Sequence, residues 1–180
     1  VKKIFLLVLF IAVCIISYSY IYAPYREQQE IKNNLKTIYQ NLVKINNEVG
    51  EQFGKESDNK KLLKISGDLL MQKNKLISTR GKIKNEENLA IYNNLYKSIE
   101  KHFDWIEAQK VTNEKYDKNQ REIQAILSLG TYELVFGEGQ SLMNKVDKLQ
   151  KENESIIDKS TELFWSLNNE EYLTIVESYF

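Results

Sequence analysis

IKNNLKTIYQNLVKINNEV, Ile31 to Val49, is the stretch that decides how this chain folds. Its apolar residues Ile31, Leu35, Ile38, Leu42, Ile45 and Val49 succeed one another at steps of 4, 3, 4, 3 and 4, and Phe53 closes the run. A period of ~3.5 residues is the seam of a helix that packs lengthwise against other helices. Gly50 and Gly54, followed by Ser57 and Asp58, mark its end. The six seam residues are therefore also candidates for self-association with a second copy of the chain.

The same spacing returns downstream. Leu62, Leu69, Leu76 and Ile83 repeat every seven residues, with Leu63, Leu70 and Ile77 repeating beside them. Two adjacent rows imply a broad face that touches more than one neighbouring helix. Gly81 and the KNEEN segment then read as a turn, with Asn85 as N-cap and Glu86 and Glu87 in the favourable first turn. Leu89, Tyr92, Tyr96, Ile99, Phe103 and Ile106 form the next seam, expected to end near Val111, where Thr112, Asn113 and Glu114 look like a fresh start. A further helix carries Tyr116, Ile123, Ile126, Leu127 and Leu134, and TYELVFGEG, residues 131–139, reads as helix fraying into a loop. Beyond it runs Leu142, Val146, Leu149, Asn153, Ile156, Ser160, Leu163 and Leu167, in which Asn153 has the look of a register device. NNEEY opens a last short helix with Leu173, Val176 and Phe180 on its inner side.

Towards the N-terminus the seam gives way to SYSYIYAPYRE and then to Ile4–Ala23, 20 residues without a charge. About 20 apolar residues suffice to cross a bilayer as a helix. Lys2 and Lys3 ahead of the greasy core and Ser17 and Ser19 behind it also give the three-part layout of a secretory signal, cleavable near Ser19. Tyr18, Tyr20, Tyr22 and Tyr25 ring the helix as an interfacial belt does, which favours a retained anchor. In either case the lysine pair places the N-terminus inside and the body outside, periplasmic or extracellular. Cys14, the one cysteine, reads as an inert thiol of this segment, so no internal disulfide forms.

These patterns give an all-α fold: an N-terminal transmembrane helix or signal peptide, then an elongated antiparallel bundle of four to five helices with coiled-coil-like packing. Residues 1–23 are the anchor or signal segment, 24–57 a stem helix and 58–180 the rest of one bundle domain.

Charge and chemistry narrow the function by exclusion. With 25 basic and 25 acidic side chains, no large one-signed field recommends nucleic acid as a partner. His102 is the only histidine, which rules out a multi-histidine metal centre. The pairs Glu86–Glu87 and Glu170–Glu171 sit where helix starts welcome carboxylates. GEGQSLMNK, residues 137–145, lacks the ending and the preceding strand of a phosphate loop. No catalytic, metal or cofactor-binding residues are assigned, and the lysine clusters read as a solvated face. Trp105, Phe164, Trp165 and His102 are candidates for partner contact, since exposed tryptophans anchor protein interfaces. The sequence thus points to a membrane-anchored, non-enzymatic interaction module, whose partners are other proteins or itself and whose residues 4–23 enter the membrane. The alternative is a sensor-like or inhibitor-type bundle holding a ligand between Tyr92, Tyr96 and His102.

Overall fold

The computed structural model describes residues 2–52, 59–129, 139–168 and 171–180. Helix α1 spans Lys2–Ser17, a π-helical turn Tyr18–Tyr22, α2 Ala23–Gln52, α3 Asn59–Arg80, α4 Glu86–Leu127, α5 Gly139–Asn168 and α6 Glu171–Glu177. Among the described residues there is no strand, and the helices associate as a bundle. Phe53, the stop signals Gly54, Ser57 and Asp58, Leu134 with the rest of 131–138, and the Asn169 start of α6 lie outside the described residues.

The passage from the apolar end to the bundle is helical throughout. Pro24 has no N–H to donate, and its ring crowds the carbonyl one turn back. The chain absorbs this with one wide turn, in which the Ala23 N–H reaches the Tyr18 carbonyl five residues earlier. Leu6–Glu51 is consequently one helical run, and its apolar part is exposed on every side. It is long and apolar enough to cross a membrane; a signal sequence would have the same character.

Beyond Pro24 the sequence pattern translates directly into packing. Ile31, Leu35, Ile38, Leu42, Ile45 and Val49 are all buried in the main core. Cross-links between α2 and α3 fix their relative direction: Gln28 donates to the Lys82 carbonyl, Asn41 to the Gln72 side chain, and Lys64 pairs with Glu48. Rising numbers on α2 meet falling numbers on α3, so the two are antiparallel. Lys73–Glu100 and Asn113–Asn59 set α4 antiparallel to α3 in the same way. The turn between them is held at the base of α2, where Gln28 accepts from the Lys84 N–H and Asn88 donates to the Gln28 carbonyl.

Helix α4 begins as its sequence indicates, with the Asn85 side chain accepting the Asn88 N–H at 2.7 Å. It does not end near Val111. It runs unbroken for 42 residues, ~63 Å, because the Thr112 hydroxyl bonds back to the Ala108 carbonyl and caps nothing downstream. Its buried row also differs from the expected one. Asn88, Ile91, Leu95, Ser98, His102 and Trp105 are at the centre, Tyr92, Ile99 and Ile106 beside them, and Leu89, Tyr96 and Phe103 only half-buried. Helix α4 packs against α2, α3, α5 and α6, so its covered arc is wider than one seam.

Past the ends of α2 and α3, α4 and α5 continue as a two-helix extension with its own small core of Ile123, Ile126, Val146 and Leu149. Both polar seam positions of α5 find polar partners on α4. Asn153 accepts from Asn119 at 2.9 Å, and the Ser160 hydroxyl donates to Gln109. Near the lower end the seam steps sideways, with Phe164 buried and Leu163 exposed. An α-helix drifts ~20° per heptad against a strict 3.5 repeat, and Phe164 takes over where Leu163 has rotated out.

The Asn119–Asn153 pair predicts a non-additive mutant cycle. Asn153→Leu alone buries the Asn119 amide without its partner and is expected to cost ~1–3 kcal/mol. Asn119→Leu with Asn153→Leu is expected to recover that loss or exceed the parent while loosening the register. Denaturant unfolding of the four proteins measures the coupling.

Candidate interaction surfaces

The residues singled out in the sequence separate into two groups. Trp105, His102 and Phe164 are inside, at 2%, 0% and 5% exposure, whereas Trp165 is 54% exposed. The first three are thus corrected from contact residues to core residues, because α4 and the end of α5 are enclosed by several helices at once. Phe164 lies near α2 at Gly50, where a Cβ would come within 3.9 Å of its Cζ, and it meets Trp165 edge-on with centroids 5.7 Å apart. The α2 seam is corrected likewise: its six side chains are covered by the chain's own helices, which leaves a second copy no access to them.

His102 is built into the fold. Its Nδ1 lies 2.8 Å from the Ser98 carbonyl, and since a carbonyl only accepts, Nδ1 carries the proton. Burial first, and the neighbouring Lys101 charge after it, push the imidazole below its ordinary value, against the opposing Ser98 bond. The native state therefore binds fewer protons than the unfolded chain once the pH falls below ~6.5. Stability is expected to be intact above that pH and to fall on acidification by up to ~1.4 kcal/mol per unit until the native pKa is reached. As the chain has one histidine, comparing denaturant unfolding at pH 7.5 and 5.5 isolates this group. His102→Leu is expected to flatten the difference.

Of the residues expected to line a ligand pocket in the alternative reading, Tyr92 and Tyr96 are roofed by cations of the same chain. Tyr92 and Tyr96 stack at 6.2 Å. The Arg80 guanidinium lies 5.7 Å from the Tyr92 ring, and the Lys73 ammonium 5.5 Å from both the Tyr96 and Phe103 rings. The Lys73 hydrogen bond to Glu100 holds that ammonium charged above its ordinary range. Lys97 and Lys101 cover Tyr172 of α6 in the same manner. A shallow open groove on α5, lined by Asn144, Asp147, Lys148, Lys151, Glu152 and Ser155, belongs to one helix face and converges on nothing. Among the described residues no three His, Cys, Asp or Glu side chains gather as metal ligands would.

One surface was not anticipated. On α3 the row Leu62, Leu69 and Leu76 is buried, but Leu63, Leu70 and Ile77 point outward at 61%, 52% and 49% exposure, with Met71 beside them. Helix α3 does touch two neighbours, α2 and α4, as its pattern implied, but one row fills both contacts and the second row is left outside. The lysines adjoining the second row, Lys60, Lys64 and Lys75, were the signal that this side meets water. No family model matches the chain, and neither a curated protein nor a solved structure does.

Proposed function

We propose that the chain is a membrane-tethered, non-enzymatic helical module that engages other proteins outside the membrane. The observation that carries this reading is the single helical run from Leu6 to Glu51, greasy and uncovered at one end and seated in the bundle core at the other. A helix shared between two solvents is a tether, and it holds the bundle, built of four or five helices packed like a coiled coil, upright at the membrane surface. Lys2 and Lys3 stay on the inner side, Tyr18, Tyr20, Tyr22 and Tyr25 lie at the outer headgroups, and the body stands in a periplasmic or extracellular space of a bacterial-type cell. The same body released by cleavage near Ser19 is the secreted variant of this reading. The outward α3 row and the exposed Trp165 are the surfaces offered to partners.

Two readouts on intact cells and their membranes test the proposal. After an alkaline wash the chain is expected to stay with the membrane pellet, and an impermeant maleimide added from outside is expected to label a cysteine placed at exposed Lys75. Release by the wash, with a new N-terminus near Tyr20, would replace the tether with a secreted bundle. Retention without outside labelling would reverse the orientation.

A further inference from the structure

We infer that the outward row of α3 is the docking face for an acidic amphipathic helix of a partner protein; this rests on the reading of the chain as a tethered interaction module. The row is a second seam. Leu63, Gly67, Leu70, Asn74 and Ile77 follow at steps of 4, 3, 4 and 3, all of them exposed, on the side of α3 turned from the core. That spacing accepts the knobs of one more helix. Gly67 supplies a notch, since a Cβ there would have nothing within 4 Å.

Charge selects the occupant. From Asn59 to Lys84 the chain carries seven lysines and Arg80 against the single carboxylate of Asp68. Glu48, Glu100 and Glu27 of the adjoining helices pair with Lys64, Lys73 and Lys84, and even with Lys60 set aside, Lys61, Lys75, Lys82 and Arg80, all exposed, outnumber Asp68 and leave α3 a positive surplus. Flanking charges set the partner of a helical seam, and like charges brought together oppose pairing. Helix α3 laid on its own image would set the surplus against itself, whereas glutamates on a partner helix would meet it. A lipid surface fits poorly along the row. Antiparallel to α2, α3 descends toward the apolar end, and Leu63 stands ~28 Å above Lys82 at its base.

The test uses the full chain in nanodiscs of neutral lipid. The probe is a fluorescein-labelled four-heptad peptide with leucine at its a and d positions and glutamate at e and g, compared with its lysine counterpart. By anisotropy the glutamate peptide is expected to bind at least ~10-fold more tightly, with the difference shrinking as salt rises. Leu70→Glu and Ile77→Glu are each expected to weaken it ~10-fold or more with thermal unfolding unchanged, since both side chains already face water. Gly67→Leu, which fills the notch without touching the core, is expected to do the same. Equal binding of the two peptides, or indifference to all three substitutions, overturns the assignment. So does self-association of the parent, lost in Leu70→Glu, which gives the face to a second copy, or protection of α3 from hydrogen exchange only in anionic discs, which gives it to lipid. Membrane retention is read separately by the alkaline wash, so a failure here with retention intact removes the docking face and leaves the tether standing.

Discussion

Trp105→Ala is expected to cost ~3–5 kcal/mol of folding stability, the usual price of emptying an aromatic site in a core, while Trp165→Ala is expected to cost no more than ~1.5 kcal/mol. The chain has two tryptophans, and both look alike in the sequence, each a bulky ring next to an apolar seam. The structure separates them. Trp105 is 2% exposed in the main core, so its removal leaves a cavity whose lining loses contacts that no water restores. Trp165 is half in solvent, and its edge contact with Phe164 is of a kind worth ~0.5–1.5 kcal/mol in measured cases. Trp105→Phe adds a finer comparison. It keeps most of the ring and removes an indole N–H that meets no acceptor among the described residues, so its loss is expected to be well below that of alanine. Denaturant unfolding followed by circular dichroism measures all three. Equal losses for Trp105→Ala and Trp165→Ala would mean that α4 is not seated as described.

The second large effect concerns the proposed tether. Leu9→Arg combined with Val13→Arg places two guanidinium groups in the middle of a segment that has no charge between Lys3 and Arg26. Each costs ~2.5–3.5 kcal/mol at the centre of a spanning helix, so the pair removes ~5–7 kcal/mol of insertion free energy. The expected result is loss of the chain from the alkaline-washed pellet, with the bundle keeping its helical spectrum, because the described side chains of α1, Leu6 to Ser17, are all exposed and outside both core clusters. Ser17→Arg, directly beside the tyrosine belt, is expected to be tolerated, as its charged head reaches the headgroups. Unchanged retention of the double variant would show that the segment does not lie across the bilayer.

Where one side of a helix had a single job, the sequence revealed it. The α2 seam is legible because its six apolar positions coincide with the six that are buried among the described side chains of the helix, and the Asn85 cap because a short acceptor side chain leads directly into acidic residues. Helix α4 is harder to read for a physical reason. Its central row includes the polar residues Asn88, Ser98 and His102, of which Asn88 donates across to the Gln28 carbonyl and His102 back to the Ser98 carbonyl, and a search for apolar spacing passes over them in favour of Tyr96 and Phe103 at the margin. Thr112 misled in the opposite sense, because a hydroxyl that could cap a new helix equally well bonds the carbonyl four residues behind it. On α3 two rows of equal hydrophobicity compete, and only the placement of α3 at the side of the bundle decides which one is covered. That decision depends on the neighbours, and the outward row became visible as a candidate surface only once they were in place.

A cysteine scan from Leu6 to Val49, in a Cys14→Ser background and with membranes intact, tests the central claim of one helix in two solvents most directly. Reactivity toward a water-soluble maleimide is expected to be low at every position from Leu6 to Ile16, then periodic beyond Glu30. Ile31, Leu35, Ile38, Leu42 and Ile45 should be protected, and exposed Asn33, Asn34, Lys36, Gln40 and Lys44 modified rapidly. Uniform reaction beyond Glu30, or rapid modification throughout Leu6 to Ile16, would contradict it.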